Sequence, residues 1–162
     1  MSTSIAVLLY LHTAISLVAI VAGLVVTAHL LSARVSRFWT DLFLVTAIAT
    51  SVTGYFFPFS GVTPAQIVGA VALAILAVVL LARHHFRLAG AWRWIYASGV
   101  VASLYFLLFV LVVQLFRHIP VLQPFDGQAP FQVAQLLVLL AIVGAGIGAV
   151  RRFRPALRVL AA

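Results

Sequence analysis

Long apolar segments dominate this chain of 162 residues, and almost all of its charge lies in the short gaps between them. The sequence is 65% hydrophobic and 7% charged, whereas soluble domains carry about 25% charged residues. An apolar stretch of about 20 residues is long enough to cross a lipid bilayer as a helix. We therefore predict an all-α fold, a polytopic bundle of five transmembrane helices that forms a single domain over residues 1–162. The predicted spans are residues 5–31, 40–57, 64–82, 94–116 and 131–150.

The distribution of arginine predicts the orientation of this bundle. Nine of the ten arginines fall in the first gap, the third gap and the C-terminal tail, namely Arg34, Arg37, Arg83, Arg87, Arg93, Arg151, Arg152, Arg154 and Arg158. Short loops rich in arginine stay in the cytoplasm, so the N-terminus is expected outside and the C-terminus in the cytoplasm of a bacterial inner membrane. A four-span alternative, in which the second and third segments form one hairpin, would place residues 83–93 outside and lose this bias.

The residue types exclude several functions. The chain has no cysteine and no lysine, so disulfides, thiolate metal sites and Schiff-base chemistry are excluded. Its two carboxylates, Asp41 and Asp126, belong to opposite membrane faces in the predicted topology, and paired-carboxylate hydrolysis needs both together. The net charge of +8 is explained by arginines that flank apolar spans, and we expect no nucleic-acid partner. These points favour a protein that is not an enzyme.

Polar residues inside the predicted outer half form a first candidate site, since intramembrane polar groups are costly. They are His12, Gln114, Gln132 and Gln135. One interpretation is a pocket for a small molecule, a lipid or a quinone. The other is structural, with a neutral His12 bonded to a glutamine that holds two helices in register.

A second group lies at the predicted cytoplasmic ends of the spans and consists of His29, Asp41, His84 and His85. Imidazoles and a carboxylate can bind a divalent metal. A single haem between His29 and His84 or His85, as in b-type cytochromes, is a further interpretation. The structural alternative is an interfacial rim in which Asp41 pairs with Arg37 or Arg34.

Small residues predict helix contacts, because close backbone approach drives helix association in lipid. Gly144 and Gly148 form a GxxxG pair in the fifth span. Packing within the chain and dimerisation with a second copy both remain open. The span centres are almost wholly apolar, which argues against a midplane transport site.

Several stretches resemble a group of small bacterial inner-membrane proteins to which no function has been assigned. They are TSVTGYFFP at residues 50–58, GAWRWIY at 90–96, the segment 104–116 and Pro130-Phe131 with Gln135. The resemblance implies a multi-span membrane protein and carries no catalytic residue to this chain.

Taken together, the patterns predict a small accessory or structural subunit that packs in the bilayer against itself or against a larger membrane complex. Two alternatives stay open. One is a haem-binding electron-transfer protein, and the other is a binder or transporter of a small molecule, lipid or quinone that uses the outer polar pocket.

Overall fold

Five α-helices make up the fold in a computed structural model that describes residues 3–58 and 61–153. Every regular element within those residues is helical. Arg154 and Arg158, two of the arginines in the predicted orientation, lie outside the described residues. The helices are α1 (Thr3–Leu31), α2 (Arg37–Thr53), α3 (Pro64–Leu80), α4 (Trp92–His118) and α5 (Ala129–Arg152), with 3-10 helices at Gly54–Phe56 and Gln123–Phe125 and a π-helix at Leu81–His85.

Four helical segments are long and apolar enough to cross a membrane: Thr3–Leu31, Pro64–His85, Trp92–His118 and Ala129–Arg152. The chain is therefore a small, all-helical membrane protein, which confirms the predicted class. The α2 helix has 17 residues. Its predicted segment ran to residue 57, but the last turn tightens into the 3-10 helix and Pro58, which lacks a backbone N–H, follows.

Each helix ends close to where hydropathy changes, and local chemistry decides the exact residue. The α3 helix begins with a capping box, in which the Thr63 hydroxyl accepts from the Gln66 N–H and the Gln66 side chain accepts from the Thr63 N–H. Pro64 occupies the first turn, where its missing N–H costs nothing. The Tyr55 hydroxyl donates to the Gln66 carbonyl at 2.6 Å, which ties the end of α2 to the start of α3.

The α1 helix lies at the centre and packs against α2, α4 and α5, while α3 packs between α2 and α4. Close approach depends on Gly23, because a Cβ atom there would lie 2.8 Å from the Phe43 ring and 2.9 Å from Leu104. The same holds for Gly99 of α4, where a Cβ atom would collide with Val79 of α3. Glycine thus sets the helix spacing at two crossings, as expected where lipid supplies little drive for association.

The connection between α3 and α4 is compact and well packed. The π-helix is followed by Arg87 and Leu88, both with positive φ, at 47° and 57°. Non-glycine residues adopt this conformation at a cost, and here burial of the Leu88 side chain and a 2.9 Å bond from its N–H to the Ala82 carbonyl offset it. Phe86 stacks on Trp92 with ring centroids 3.7 Å apart. The turn therefore fixes how α3 and α4 enter the bundle.

Candidate functional site

A polar cluster, here called the Asp41 cluster, joins α2, the π-helix and α4 at one end of the bundle. It consists of Asp41, Arg83, Thr40 and Tyr96. The Arg83 Nη2 atom lies 2.8 Å from Asp41 Oδ1. Thr40 and Tyr96 are buried, at 1% exposure each, beside the Arg83 and Asp41 charges. The centroid of the Phe153 ring lies 5.9 Å from that of Tyr96, so Phe153 packs beside the cluster.

The two charges of this cluster differ in burial. The Arg83 side chain is 14% exposed, whereas that of Asp41 is 48% exposed. Arg83 Nη1 is buried and has no hydrogen-bond partner among the described residues. Arg37 approaches Asp41 only to 3.8 Å from an exposed position. The predicted pairing of Asp41 with Arg37 is thus present but weak, and the stronger partner is Arg83.

The histidines predicted to bind haem or metal lie at the helix ends near this cluster. His84 and His85 are exposed on the π-helix, and His85 packs edge-on against Phe86. His29 of α1 is half-buried, and its Nδ1 has no partner within the described part of the chain. No three histidine or carboxylate side chains in residues 3–58 and 61–153 lie close enough together to hold a metal ion.

At the opposite end, His12 of α1 bonds to α2. Its Nδ1 lies 2.8 Å from Thr53 Oγ1. That hydroxyl donates its one proton to the Ala49 carbonyl at 2.7 Å, so the network assigns the imidazole proton to Nδ1, which donates to Thr53. The ring also meets Phe57 edge-on at 5.4 Å. His12 therefore bonds across the α1–α2 pair to a threonine, where the structural interpretation predicted a glutamine.

The glutamines of the predicted outer pocket differ in their surroundings. Gln135 of α5 donates to the Phe109 carbonyl of α4 at 3.2 Å, and its Oε1 is buried without a partner among the described residues. Gln114 and Gln132 are exposed. No hydrogen bond in the described structure joins any of these three side chains to His12. Gln135 therefore joins α5 to α4, whereas His12 joins α1 to α2.

The two glycines of the GxxxG pair have different surroundings. A Cβ atom at Gly148 would lie 2.7 Å from Leu31 of α1, so this glycine serves packing within the chain. A Cβ atom at Gly144 would meet no other atom within 4 Å in the described structure. Gly144 therefore leaves a small-residue notch open on the outer face of α5.

Two open grooves mark the surface. One, of about 430 Å³, lies between α4 and α5 and includes Tyr105 and Arg151. The other, of about 520 Å³, lies along α2 beside Arg37 and Asp41. Neither is lined by a histidine or a glutamine.

Sequence reasoning missed Arg83, Tyr96 and Thr53 as members of these clusters. Asp41 is the one carboxylate among many arginines at its predicted surface, so it needed a guanidinium partner, but sequence spacing favoured Arg37 at four residues. Thr53 follows Thr46 and Thr50 at helical spacing in α2, but only the alignment of α1 with α2 shows that it lies at the depth of His12.

Comparison of the chain with protein-family models, with characterised proteins and with solved structures gives no match. The resemblance to the group of bacterial inner-membrane proteins stays a prediction. The class rests on the fold alone, which is that of a small helical membrane protein.

Proposed function

We propose that the chain crosses the bacterial inner membrane five times, with its N-terminus outside and its C-terminus in the cytoplasm. The length of α2 supports a fifth crossing. Seventeen α-helical residues span about 26 Å, and the three residues of Gly54–Phe56 in a 3-10 helix add about 6 Å. The sum is close to the ~30 Å hydrocarbon core of a bilayer.

Side-chain contacts support the same topology. His12 meets Thr53 at one end of the α1–α2 pair, and Arg83 meets Asp41 at the other end of the α2–α3 pair. With these contacts at its two ends, α2 lies antiparallel to α1 and to α3. The described arginines other than Arg117, together with the three tryptophans, then lie toward the end that holds the Asp41 cluster, as the positive-inside rule and the aromatic belt predict. Arg117 pairs with Asp126 at 3.5 Å at the opposite end.

Single cysteines test the topology cleanly, because the native chain has none. We would introduce Ser32→Cys, Val62→Cys, Ala89→Cys and Val121→Cys at exposed positions in the connections between helices and label intact cells with a membrane-impermeant maleimide. With five crossings, we expect Val62→Cys and Val121→Cys to react in intact cells and Ser32→Cys and Ala89→Cys to react only after permeabilisation. If α2 does not cross, Ser32→Cys and Val62→Cys lie on the same side of the membrane and react alike, and the proposal fails.

Within that topology we propose that the protein acts as a non-enzymatic accessory or structural subunit, which uses α5 to contact itself or another membrane protein. One observation carries this proposal. Only 6% of the most apolar stretch of α5 is buried within the chain, against 39% for α1. The exposed face combines large apolar side chains with the open notch at Gly144, and small residues let a second helix approach closely in lipid.

The test is co-purification in mild detergent of the tagged native chain and of two α5 variants. Gly144→Ile fills the notch without touching another part of the described fold, so we expect it to remove a co-purifying partner or the self-associated form. Val133→Ile is the matched control, since it enlarges an exposed side chain on the same helix and leaves the notch open. A clean monomer for the native chain, or equal loss in both variants, contradicts the accessory role.

A further inference from the structure

We propose that the groove between α4 and α5 binds one acyl chain of an anionic phospholipid and that Arg151 binds the lipid phosphate. This site is separate from the exposed notch at Gly144 and goes beyond the accessory role. It requires only that α4 and α5 cross the membrane, which both the five-span and the four-span topology allow.

The groove has apolar walls and a narrow floor. On α4 it follows positions one helical turn apart, including Val101 and Tyr105, and on α5 it includes Ile142 and Ile147. At its floor Gly146 of α5 faces Val101 of α4, since a Cβ atom at Gly146 would lie in ordinary contact with Val101, 3.4 Å away. An extended hydrocarbon chain suits such a channel, since dispersion contacts depend on close approach from both sides.

The length of the groove matches one leaflet. On α5 it runs from Leu139 to Arg151, which is about 18 Å at the α-helical rise. Half of a ~30 Å hydrocarbon core is about 15 Å. The groove therefore begins at the membrane surface and ends near the midplane, as a single acyl chain does.

Beyond the midplane, α4 and α5 pack directly against each other. Gln135 donates to the Phe109 carbonyl at 3.2 Å, and the rings of Phe116 and Phe131 meet edge-on at 5.4 Å. A transmembrane helix of a partner would run across both leaflets and would find no groove in this half. The shape thus favours a lipid chain over a second helix.

The positive charge of Arg151 favours a lipid with an anionic headgroup. Among the residues that the structure describes, Arg151 is the one charged residue that lines the groove, and it lies at the surface end. A guanidinium binds phosphate oxygens through two parallel N–H···O bonds, and arginine near a membrane surface attracts anionic lipids. Arg152, the next residue, is also exposed but does not line the groove, so it offers a matched control.

The experiment is native mass spectrometry of the delipidated full chain, titrated with phosphatidylglycerol and with phosphatidylcholine of identical acyl chains. We expect one phosphatidylglycerol molecule to bind more tightly than phosphatidylcholine. Arg151→Gln is expected to weaken phosphatidylglycerol binding about fivefold, the effect of one basic side chain at an anionic surface, and to leave phosphatidylcholine unchanged. Arg152→Gln should have no comparable effect. Equal affinity for both lipids, or equal effects of the two variants, overturns the headgroup assignment.

A second pair of variants tests the groove itself. Ile147→Trp, at a half-exposed groove position, should fill the channel and abolish tight lipid binding with the helix content retained. Leu137→Trp places the same ring at an exposed position of α5 outside the groove and should bind lipid normally. If Ile147→Trp leaves lipid binding intact, or instead releases a protein partner, the groove does not hold a lipid. The cysteine-labelling result has no bearing on this outcome, so the two proposals fail separately.

Discussion

Loss of the Asp41 carboxylate should destabilise the fold more than loss of the arginine that it pairs with. Asp41→Ala leaves the Arg83 guanidinium in a site where its side chain is only 14% exposed and where Nη1 already lacks a partner within the described residues. Removal of one partner from a fully buried pair costs about 3–5 kcal/mol, and from an exposed pair about 0.2–1 kcal/mol. The intermediate burial of this pair gives about 2 kcal/mol for Asp41→Ala.

Arg83→Met is expected to cost less, about 1 kcal/mol, because it keeps the apolar stem and leaves a carboxylate that is 48% exposed and still near Arg37. The double variant Asp41→Ala/Arg83→Met should be no less stable than Asp41→Ala alone, since the orphaned charge is gone. Arg37→Ala is the control for the weaker contact at 3.8 Å and should change stability by less than about 0.5 kcal/mol.

The free energy of unfolding would be measured for all four variants by titration with a denaturing detergent, with helical circular dichroism as the signal. An Arg83→Met cost equal to or above that of Asp41→Ala would refute the argument from burial. Simple additivity in the double variant would show that the two side chains do not interact.

Three further predictions follow from the helix contacts and use the same assay. Gly99→Ala should lower the free energy of unfolding by about 1–3 kcal/mol, because the added methyl group overpacks against Val79. Gly144→Ala lies in open space and should raise the free energy of unfolding by up to about 1 kcal/mol, because alanine has the higher helix propensity. Similar effects at both positions would contradict the described packing. Thr27→Val should be neutral or stabilising, because the buried Thr27 hydroxyl has no partner among the described residues; a clear loss of stability would reveal one. His12→Ala should cost about 1 kcal/mol, and Thr53→Val should add little in the double variant, since both remove one hydrogen bond; independent costs would exclude this pairing.

Hydropathy was sufficient to predict the helical class and most of each membrane-capable segment, because lipid requires every spanning backbone group to be satisfied within its own helix. The start of α3 was also predictable, since Pro64 follows a threonine that can cap. The helix ends at Arg37 and Arg152 lie beyond the predicted spans. Helices continue past the apolar core into the surface layer, where hydropathy no longer reports them.

The contacts between helices were harder to predict. The pairing of His12 with Thr53 depends on how deep α1 and α2 each lie in the membrane. Because α1 is longer than α2, the sequence does not determine which residues of the two helices lie at the same depth. Gln135 was grouped with His12, and its observed hydrogen bond goes to the Phe109 carbonyl of α4, a partner that hydropathy does not reveal. The choice of Arg83 for Asp41 depends on the π-helix, a local departure from 3.6 residues per turn that no hydrophobic period reveals.

The π-helix at Leu81–His85 also has a mechanical consequence. It holds one more residue in its turn than an α-helix does, and the Phe86 N–H reaches back five residues to the Leu81 carbonyl. The Arg83 side chain that pairs with Asp41 lies within this wide turn. Leu88 and the stacked rings of Phe86 and Trp92 then anchor the backbone that follows it. One ion pair and one packed turn therefore bind the ends of α2, α3 and α4 into a single unit at this surface of the bundle.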